Sequence, residues 1–128
     1  MRAGRRERGR GAEAVAAAFL ARQGFVILER NHTTRRGEVD LVCTEGDVLC
    51  FVEVRSRASR AFGDPVETVD RGKARRVVSA ATDWAMRHGG LDRAIRFDVV
   101  SVIAAPGAAP EVALYRGAFD ADGGPGLL

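Results

Sequence analysis

One stretch, residues 37–55, constrains the fold more than any other part of the chain. It consists of two runs rich in Val, Leu and Phe that flank Gly46-Asp47, a pattern that predicts a β-hairpin. A two-residue loop of this kind suits a type I′ or II′ turn, because glycine adopts positive φ without steric cost. The loop length fixes the strand register, so that Cys43 faces Cys50.

The same register predicts that two carboxylates, Asp40 and Glu53, face one another on the hairpin. Like charges in that position destabilise a sheet unless they share a proton, meet cations or bind a metal. Oxygen ligands of this type suit a hard divalent ion such as Mg²⁺ or Mn²⁺. We therefore interpret the pair as a functional site.

Alternation of side chains sorts the hairpin into two faces, with Val39 and Leu41 on one and Asp40 and Val42 on the other. Both faces are apolar near the turn, which predicts strands buried on both sides. The two cysteines lie on an apolar face, where buried, reduced thiols are favoured over a disulfide.

Length and composition predict one globular domain over residues 1–128, with a basic flexible arm at 1–10 and a mobile tail at 120–128. The net charge is +3, and Lys73 is the only lysine. The basic arm is not followed by an apolar run of the length that a signal peptide or a membrane span requires. We expect a cytoplasmic protein with no membrane segment.

The rest of the chain predicts an α/β fold in which helices flank a central mixed sheet. The polar segment 30–36 is expected to connect strands, with His32 as a loop residue, and Ser56–Pro65 is expected to be a loop. Glycine at position 72 indicates that the second helix begins late in its range. The predicted helices are Gly11–Gln23 and Val66–His88, and the predicted further strands are Phe25–Glu29, Ile95–Ile103 and Glu111–Phe119.

Three charged residues have alternative interpretations. Glu13 either compensates the dipole of the first helix or points inward, and helical spacing permits both. Lys73 lies on the apolar stripe of the second helix, where it either extends to the edge or reaches the carboxylates. For Asp98 we favour a structural role, as the partner of a helix end or a nearby arginine.

Taken together, several motifs resemble the YraN-like family of bacterial proteins. That family is similar to archaeal Holliday junction resolvases and to the wider PD-(D/E)XK nuclease superfamily. The resemblance covers about residues 9–103 and implies a restriction-endonuclease-like three-layer sandwich. The motifs are Glu13, Gly24-Phe25, Arg30-Asn31, Gly37-Glu38-Val39-Asp40, Phe51-Val52-Glu53-Val54-Arg55, Phe62-Gly63, Pro65, Lys73 and Arg96-Phe97-Asp98.

The resemblance implies a divalent metal, Mg²⁺ or Mn²⁺, held by Asp40, Glu53 and the backbone carbonyl of Val54, with a contribution from Glu13. Such a metal polarises a phosphate and lowers the pKa of an attacking water. Arginines of helices and loops would hold the nucleic-acid backbone. The candidates for that role are Arg35, Arg36, Arg57 and Arg60.

One position departs from the superfamily pattern, because Arg55 stands where its catalytic lysine is found. An arginine is not neutral near pH 7 and cannot act as a base, although it can stabilise negative charge on a phosphate. YraN-like sequences also carry arginine there. Lys73 is a candidate for supplying the missing amine.

The principal functional hypothesis is a metal-dependent endonuclease acting on DNA, by analogy on branched or damaged DNA. The alternative is a nucleic-acid-binding module that retains the fold without cleavage, for which the basic arm and Arg57, Arg60, Arg71, Arg75 and Arg76 would suffice. A third interpretation is a protein-interaction domain whose carboxylates are satisfied by arginines. The resemblance to resolvases, which act as dimers, implies a homodimer, and an edge strand at 111–119 would permit such pairing.

Overall fold

The computed structural model of the protein describes residues 2–59 and 70–124, with side chains from residue 11 onward. Two helices and five strands make up this part of the chain, together with a short 3₁₀ turn at Gly90–Asp92. The bounds are α1 Arg2–Arg22, β1 Val26–Thr34, β2 Gly37–Glu45, β3 Val48–Arg57, α2 Arg71–Arg87, β4 Ile95–Ile103 and β5 Glu111–Phe119.

The five strands form one sheet in the order β1-β2-β3-β4-β5. Neighbouring strands are antiparallel except β3 and β4, which are parallel because the connection through α2 returns the chain to the same end of the sheet. Helix α1 packs on one face and α2 on the other. This three-layer α/β sandwich with a mixed sheet confirms the predicted fold class.

The β2–β3 hairpin has the predicted register from Glu45 and Val48 to Leu41 and Val52, with Cys43 opposite Cys50. The turn glycine, Gly46, has φ +58°, as a primed turn requires. Both cysteines are buried free thiols, as predicted, and burial raises the pKa of each thiol to about 12.

Each helix buries a different type of surface against the sheet. The α1 core combines small alanines and Leu20 with Leu41 and Val52, so the helix backbone lies close to the strands. The α2 core is aromatic: Trp84 meets Phe51 edge to face, with ring centroids 6.0 Å apart. This arrangement leaves the hairpin buried on both sides.

Some element boundaries differ from the predictions. Strand β1 continues to Thr34 because residues 30–34 pair with β2, so His32 is a strand residue and not a loop residue. Helix α1 begins at Arg2, where a flexible arm was expected, and β3 extends through Arg57 into the predicted loop. Strands β4 and β5 have the predicted bounds.

The start of α2 is set by a side-chain cap. The Asp70 carboxylate accepts a hydrogen bond of 2.7 Å from the backbone N–H of Lys73. The helix therefore begins at Arg71, later than Val66 as Gly72 indicated, and Lys73 lies in its first turn. Residues 60–69, which include Arg60, Phe62-Gly63 and Pro65, lie outside the described part of the chain.

After β5 the chain forms a closed turn. The N–H of Asp120 donates to the carbonyl of Gly124, and Gly123 donates back to Asp120. Gly123 lies against the start of α2, where an added Cβ would meet the Arg71 carbonyl at 3.1 Å. Gly123 and Gly124 of the predicted tail are thus buried against the sandwich, whereas residues 120–122 are exposed.

Within residues 2–59 and 70–124, neither helix combines the length and the apolar character that crossing a membrane requires.

Candidate active site

Asp40 lies where the hairpin strands stop pairing. The β2–β3 ladder ends at Leu41 and Val52, and beyond it the Asp40 carboxylate accepts a hydrogen bond of 2.7 Å from the Val54 N–H. A side-chain oxygen therefore takes the place of a strand partner at this point. The carbonyl of a strand residue points to the same side as its N–H, so the Val54 carbonyl also faces Asp40.

An irregularity in the sheet accounts for the position of Asp40. Strand β1 pairs Arg30 with Leu41 and His32 with Val39, and Asn31 between them has φ +57°. Val39 consequently lies in the α2-facing core, although alternation predicted it on the face of Leu41. At this level Asp40 interacts with Glu53 and Val54 of β3 and, through its charge, with Glu13 of α1.

Glu53 is buried in the centre of the sheet, at 4% exposure. Its Oε1 lies 3.4 Å from Nζ of Lys73 and 3.8 Å from a terminal nitrogen of Arg55. Lys73 thus reaches the carboxylates, which was one of its two predicted roles. Arg55 is also placed beside the carboxylate pair, as the family resemblance implied.

The carboxylate pair is electrostatically strained. Burial, followed by the negative charge of Glu53, raises the pKa of Asp40 to about 8. The Val54 N–H opposes this rise, whereas a hydrogen bond that protonated Asp40 donates to Glu53 adds to it. Without a bound metal, Asp40 is therefore protonated at neutral pH, and Glu53 meets the cations Lys73 and Arg55.

Glu13 belongs to the same electrostatic environment. Its pKa is raised by partial burial and then by the charge of Asp40, while a hydrogen bond from the Asn31 side chain opposes the rise. This supports the inward-pointing interpretation. Within the described residues, no three Asp, Glu, His or Cys side chains are grouped closely enough to hold a metal by themselves. Glu13 is a neighbour of the pair and does not complete a three-ligand cluster.

Glu53 lines a cavity of about 350 Å³ between the β1–β2 turn and α2, and Asp40 lies behind it, outside the lining. Arg35 and Arg36, predicted to contact nucleic acid, lie on this turn. Arg57 lies further along β3, at the level of Ile103, and Arg60 is outside the described residues. The charged lining consists of Arg35, Arg36, Glu38, Glu53, Lys73 and Arg76.

Gly37 allows the β1–β2 turn to pack directly against the backbone of α2. A Cβ at this position would lie 2.0 Å from the carbonyl oxygen of Arg76, so the two backbones are in direct contact. Only glycine permits this approach. The contact holds Arg35 and Arg36 beside the carboxylate pair.

A second charged cluster lies at the β2–β3 turn end of the sheet. Asp98 accepts hydrogen bonds of 2.8 and 2.9 Å from Arg96, and the backbone N–H of Gly117 also donates to it. Glu45 accepts from Arg96 and Arg116, and these partners lower its pKa to about 2. Asp98 is thus a structural partner of arginine, as predicted.

The sequence model of the family described as "Uncharacterised protein family UPF0102" matches residues 12–102. The chain belongs to the UPF0102 family. This confirms the predicted YraN-like assignment. A UPF0102 protein of Anaeromyxobacter sp. is 70% identical, over 96% of this chain and 92% of that protein. A relative from Pseudomonas paraeruginosa is 43% identical, over 94% of this chain and 98% of its own length.

The UPF0102 match spans the candidate site, from Glu13 through the Asp40–Glu53 pair to Lys73. Sequence reasoning had not identified two contributions to it. The left-handed conformation of Asn31 depends on the pairing of β1, and the sequence offers only the Arg30-Asn31 motif as a signal. The contact of Gly37 with α2 depends on packing between distant segments, for which the only signal is the glycine itself.

Proposed function

We propose that this UPF0102 protein is a metal-dependent endonuclease that acts on DNA, and that it is a member of the PD-(D/E)XK superfamily. The observation that carries the proposal is the carboxylate pair. Asp40 and Glu53 are held together although burial and mutual repulsion raise the pKa of Asp40 to about 8. A divalent cation would relieve this repulsion, and such strained acidic pairs are typical of functional sites.

The donor set fits Mg²⁺ or Mn²⁺. Asp40 and Glu53 would supply carboxylate oxygens and Val54 a backbone carbonyl, while Glu13 would act from the neighbouring helix through its charge. Mg²⁺ keeps several waters and commonly uses only one or two carboxylates, so a third acidic ligand is not required. When bound, the metal would polarise a phosphate and lower the pKa of a water.

Lys73 and Arg55 provide the positive charge of the site. Both lie within 4 Å of Glu53, Lys73 at 3.4 Å and Arg55 at 3.8 Å. In this proposal Arg55 stabilises the charge that develops on the phosphate, because it stays protonated. Lys73 supplies the amine that orients the attacking water, the role that the superfamily assigns to the residue at the position of Arg55.

Three arginines lie at the cavity, two on the β1–β2 turn and one on α2: Arg35, Arg36 and Arg76. Guanidinium groups bind phosphates in a bidentate manner and would hold the backbone of the substrate next to the carboxylate pair. Binding of this kind weakens as the salt concentration rises, because counterions are released from the nucleic acid.

The test is incubation of the purified protein with labelled single-stranded, duplex, flapped and four-way-junction DNA, in Mg²⁺, Mn²⁺ or chelator. We expect metal-dependent cleavage that is lost in Asp40→Asn. Asp47→Asn is the matched control, since Asp47 is exposed in the hairpin turn and away from the pair. Cleavage that persists in Asp40→Asn would identify a contaminating nuclease and contradict the proposal.

The role of Lys73 can be separated into charge and proton transfer. Lys73→Arg keeps the positive charge next to Glu53 but removes the ability to lose a proton, whereas Lys73→Met removes both. If the amine orients and deprotonates the water, both variants lose cleavage while DNA binding in chelator remains. Unchanged cleavage in Lys73→Met would eliminate this role.

The second candidate function is a nucleic-acid-binding module without cleavage, which the arginine at position 55 favours. It predicts binding that is insensitive to Asp40→Asn and no cleavage with any metal. The homodimer and the cytoplasmic location stay predictions. In the described sheet β1 and β5 each pair on one side only, and analytical ultracentrifugation would test whether an edge is used for dimerisation.

A further inference from the structure

A second cleft lies on the other side of the β1–β2 turn from the candidate active site. It has a volume of about 1040 Å³ and is bounded by the turn and by the C-terminal half of α2. Residues 33–36 line both this cleft and the active-site cavity. The turn that carries Arg35 and Arg36 is therefore a ridge between two openings.

The β1–β2 turn is held against α2 by backbone contact. Because Gly37 is in direct backbone contact with Arg76, α2 is divided into two stretches by this contact. The α2 residues at the cavity lie between Lys73 and Val77. Those at the cleft are Ser79, Thr82, Asp83, Met86 and Arg87. Within the described residues, the turn therefore stands between the two openings.

The second cleft is cationic. Its lining contains three arginines, Arg35, Arg36 and Arg87, and one carboxylate, Asp83. Asp83 is already paired, with Nε2 of His32 at 2.9 Å and with Nε of Arg87 at 3.1 Å. The Arg87 side chain is 70% exposed, so most of its guanidinium remains open to the cleft.

One exposed apolar residue completes the surface. Met86 lines the cleft and is 67% exposed, among the highest values for a large apolar side chain in the described residues. A thioether makes favourable contacts with aromatic rings. Arginine for phosphate and methionine for a base form a surface suited to an unpaired nucleotide strand.

We propose that the second cleft binds one strand of a DNA whose two strands separate at the Arg35-Arg36 turn, while the other strand enters the active-site cavity. The preferred substrate is then forked DNA, a duplex with two unpaired arms. This inference rests on the proposed function and specifies its substrate class.

The test measures binding in chelator, where cleavage does not interfere, by fluorescence anisotropy on single-stranded, blunt duplex and forked DNA of one sequence. We expect wild type to prefer the fork. Removing one phosphate contact to an unpaired strand lowers affinity about fivefold at 0.1 M salt, since the logarithm of the binding constant falls by about 0.7 per contact for each tenfold rise in salt.

Two variants address the cleft. Arg87→Gln is expected to weaken fork binding about fivefold and to leave single-strand binding unchanged, because a single strand occupies the active-site cavity. Met86→Glu adds a repulsive charge and is expected to act in the same direction. Their matched controls, Arg93→Gln and Leu91→Glu, alter exposed residues that line neither opening, and are expected to bind like wild type.

Other outcomes would overturn the inference. If Arg87→Gln weakens single-strand and fork binding equally, one continuous strand crosses the turn. If Arg93→Gln has the same effect as Arg87→Gln, the attraction is a general charge effect. If wild type cleaves DNA with Mg²⁺ but does not prefer forks, the second-cleft proposal fails and the nuclease proposal stands. If wild type binds none of the DNAs, both fail.

Discussion

The raised pKa of Asp40 makes the stability of the metal-free protein depend on pH. The folded-state pKa is about 8, against an ordinary value of 3.8. Below pH 3.8 the carboxyl is protonated in both the folded and the unfolded protein, so it does not change the free energy of unfolding. As the pH rises from 3.8 to about 8, the unfolded chain releases this proton and the folded protein retains it. Stability is therefore lost over this window.

The magnitude follows from proton linkage. Between pH 5 and 7 the folded protein binds one more proton at Asp40 than the unfolded chain, so the free energy of unfolding falls by about 1.4 kcal/mol per pH unit. Over two units the loss is about 2.7 kcal/mol. Asparagine does not titrate, so the free energy of unfolding of Asp40→Asn should not show this fall. Between pH 5 and 7 the difference between the variant and wild type should therefore change by about 2.7 kcal/mol in favour of the variant. Glu13 remains in both proteins, so its contribution largely cancels.

The assay is urea denaturation at pH 5, 6 and 7 in chelator, followed by the fluorescence of Trp84. This is the only tryptophan, and it is buried against Phe51 in the α2 core. Asp47→Asn should follow the wild-type pH dependence. If the curves of wild type and Asp40→Asn run parallel, Asp40 is ionised in the folded protein at neutral pH and the reasoning is refuted.

Three further predictions concern the same framework. Mg²⁺ at pH 8 should stabilise wild type by about 2.7 kcal/mol at one hundred times its dissociation constant, measured by thermal unfolding, and should not stabilise Asp40→Asn. Gly37→Ala should lower the free energy of unfolding in urea by at least about 2 kcal/mol, since its Cβ would lie 2.0 Å from the Arg76 carbonyl oxygen. Gly11→Ala is the contrasting variant: its Cβ would meet no atom within 4 Å, so it should stabilise helix α1 by about 1 kcal/mol. Glu45→Gln should lower stability at pH 7 by about 1 kcal/mol, because its ion pairs with Arg96 and Arg116 are partly exposed to solvent. Its lowered pKa of about 2 means that this difference from wild type should shrink as the pH falls from 4.5 towards 2, and equal losses at pH 2 and 7 would contradict the role of its arginine partners.

The α/β class and most of the hairpin could be predicted from local sequence. Gly46-Asp47 allows a two-residue primed turn, and that turn sets the register as far as Leu41 and Val52. Periodic apolar residues likewise predicted the bounds of β4 and β5. These features depend on the φ preference of glycine and on alternation within one segment, so neighbouring residues are sufficient to specify them.

Predictions that depended on a second segment were less accurate. The polar residues 30–34 contain no apolar alternation, yet they form strand because β2 provides hydrogen-bond partners. Val39 was assigned to the wrong face, because the left-handed Asn31 in the adjacent strand breaks the alternation. Side-chain alternation read from one strand alone does not include the effect of an irregular residue in the neighbouring strand.

The sequence by itself determined which groups are available for the site: two carboxylates on the hairpin, one lysine and a basic turn. Only the tertiary structure decided how they act together. Burial between two helical layers raises the pKa of Asp40, and the Asp70 cap places Lys73 in the first turn of α2, within 3.4 Å of Glu53. The contact of Gly37 with Arg76 divides the surface into two openings. The physical reason is that desolvation, Coulomb interaction and backbone contact depend on distance in space, and these partners are far apart along the chain.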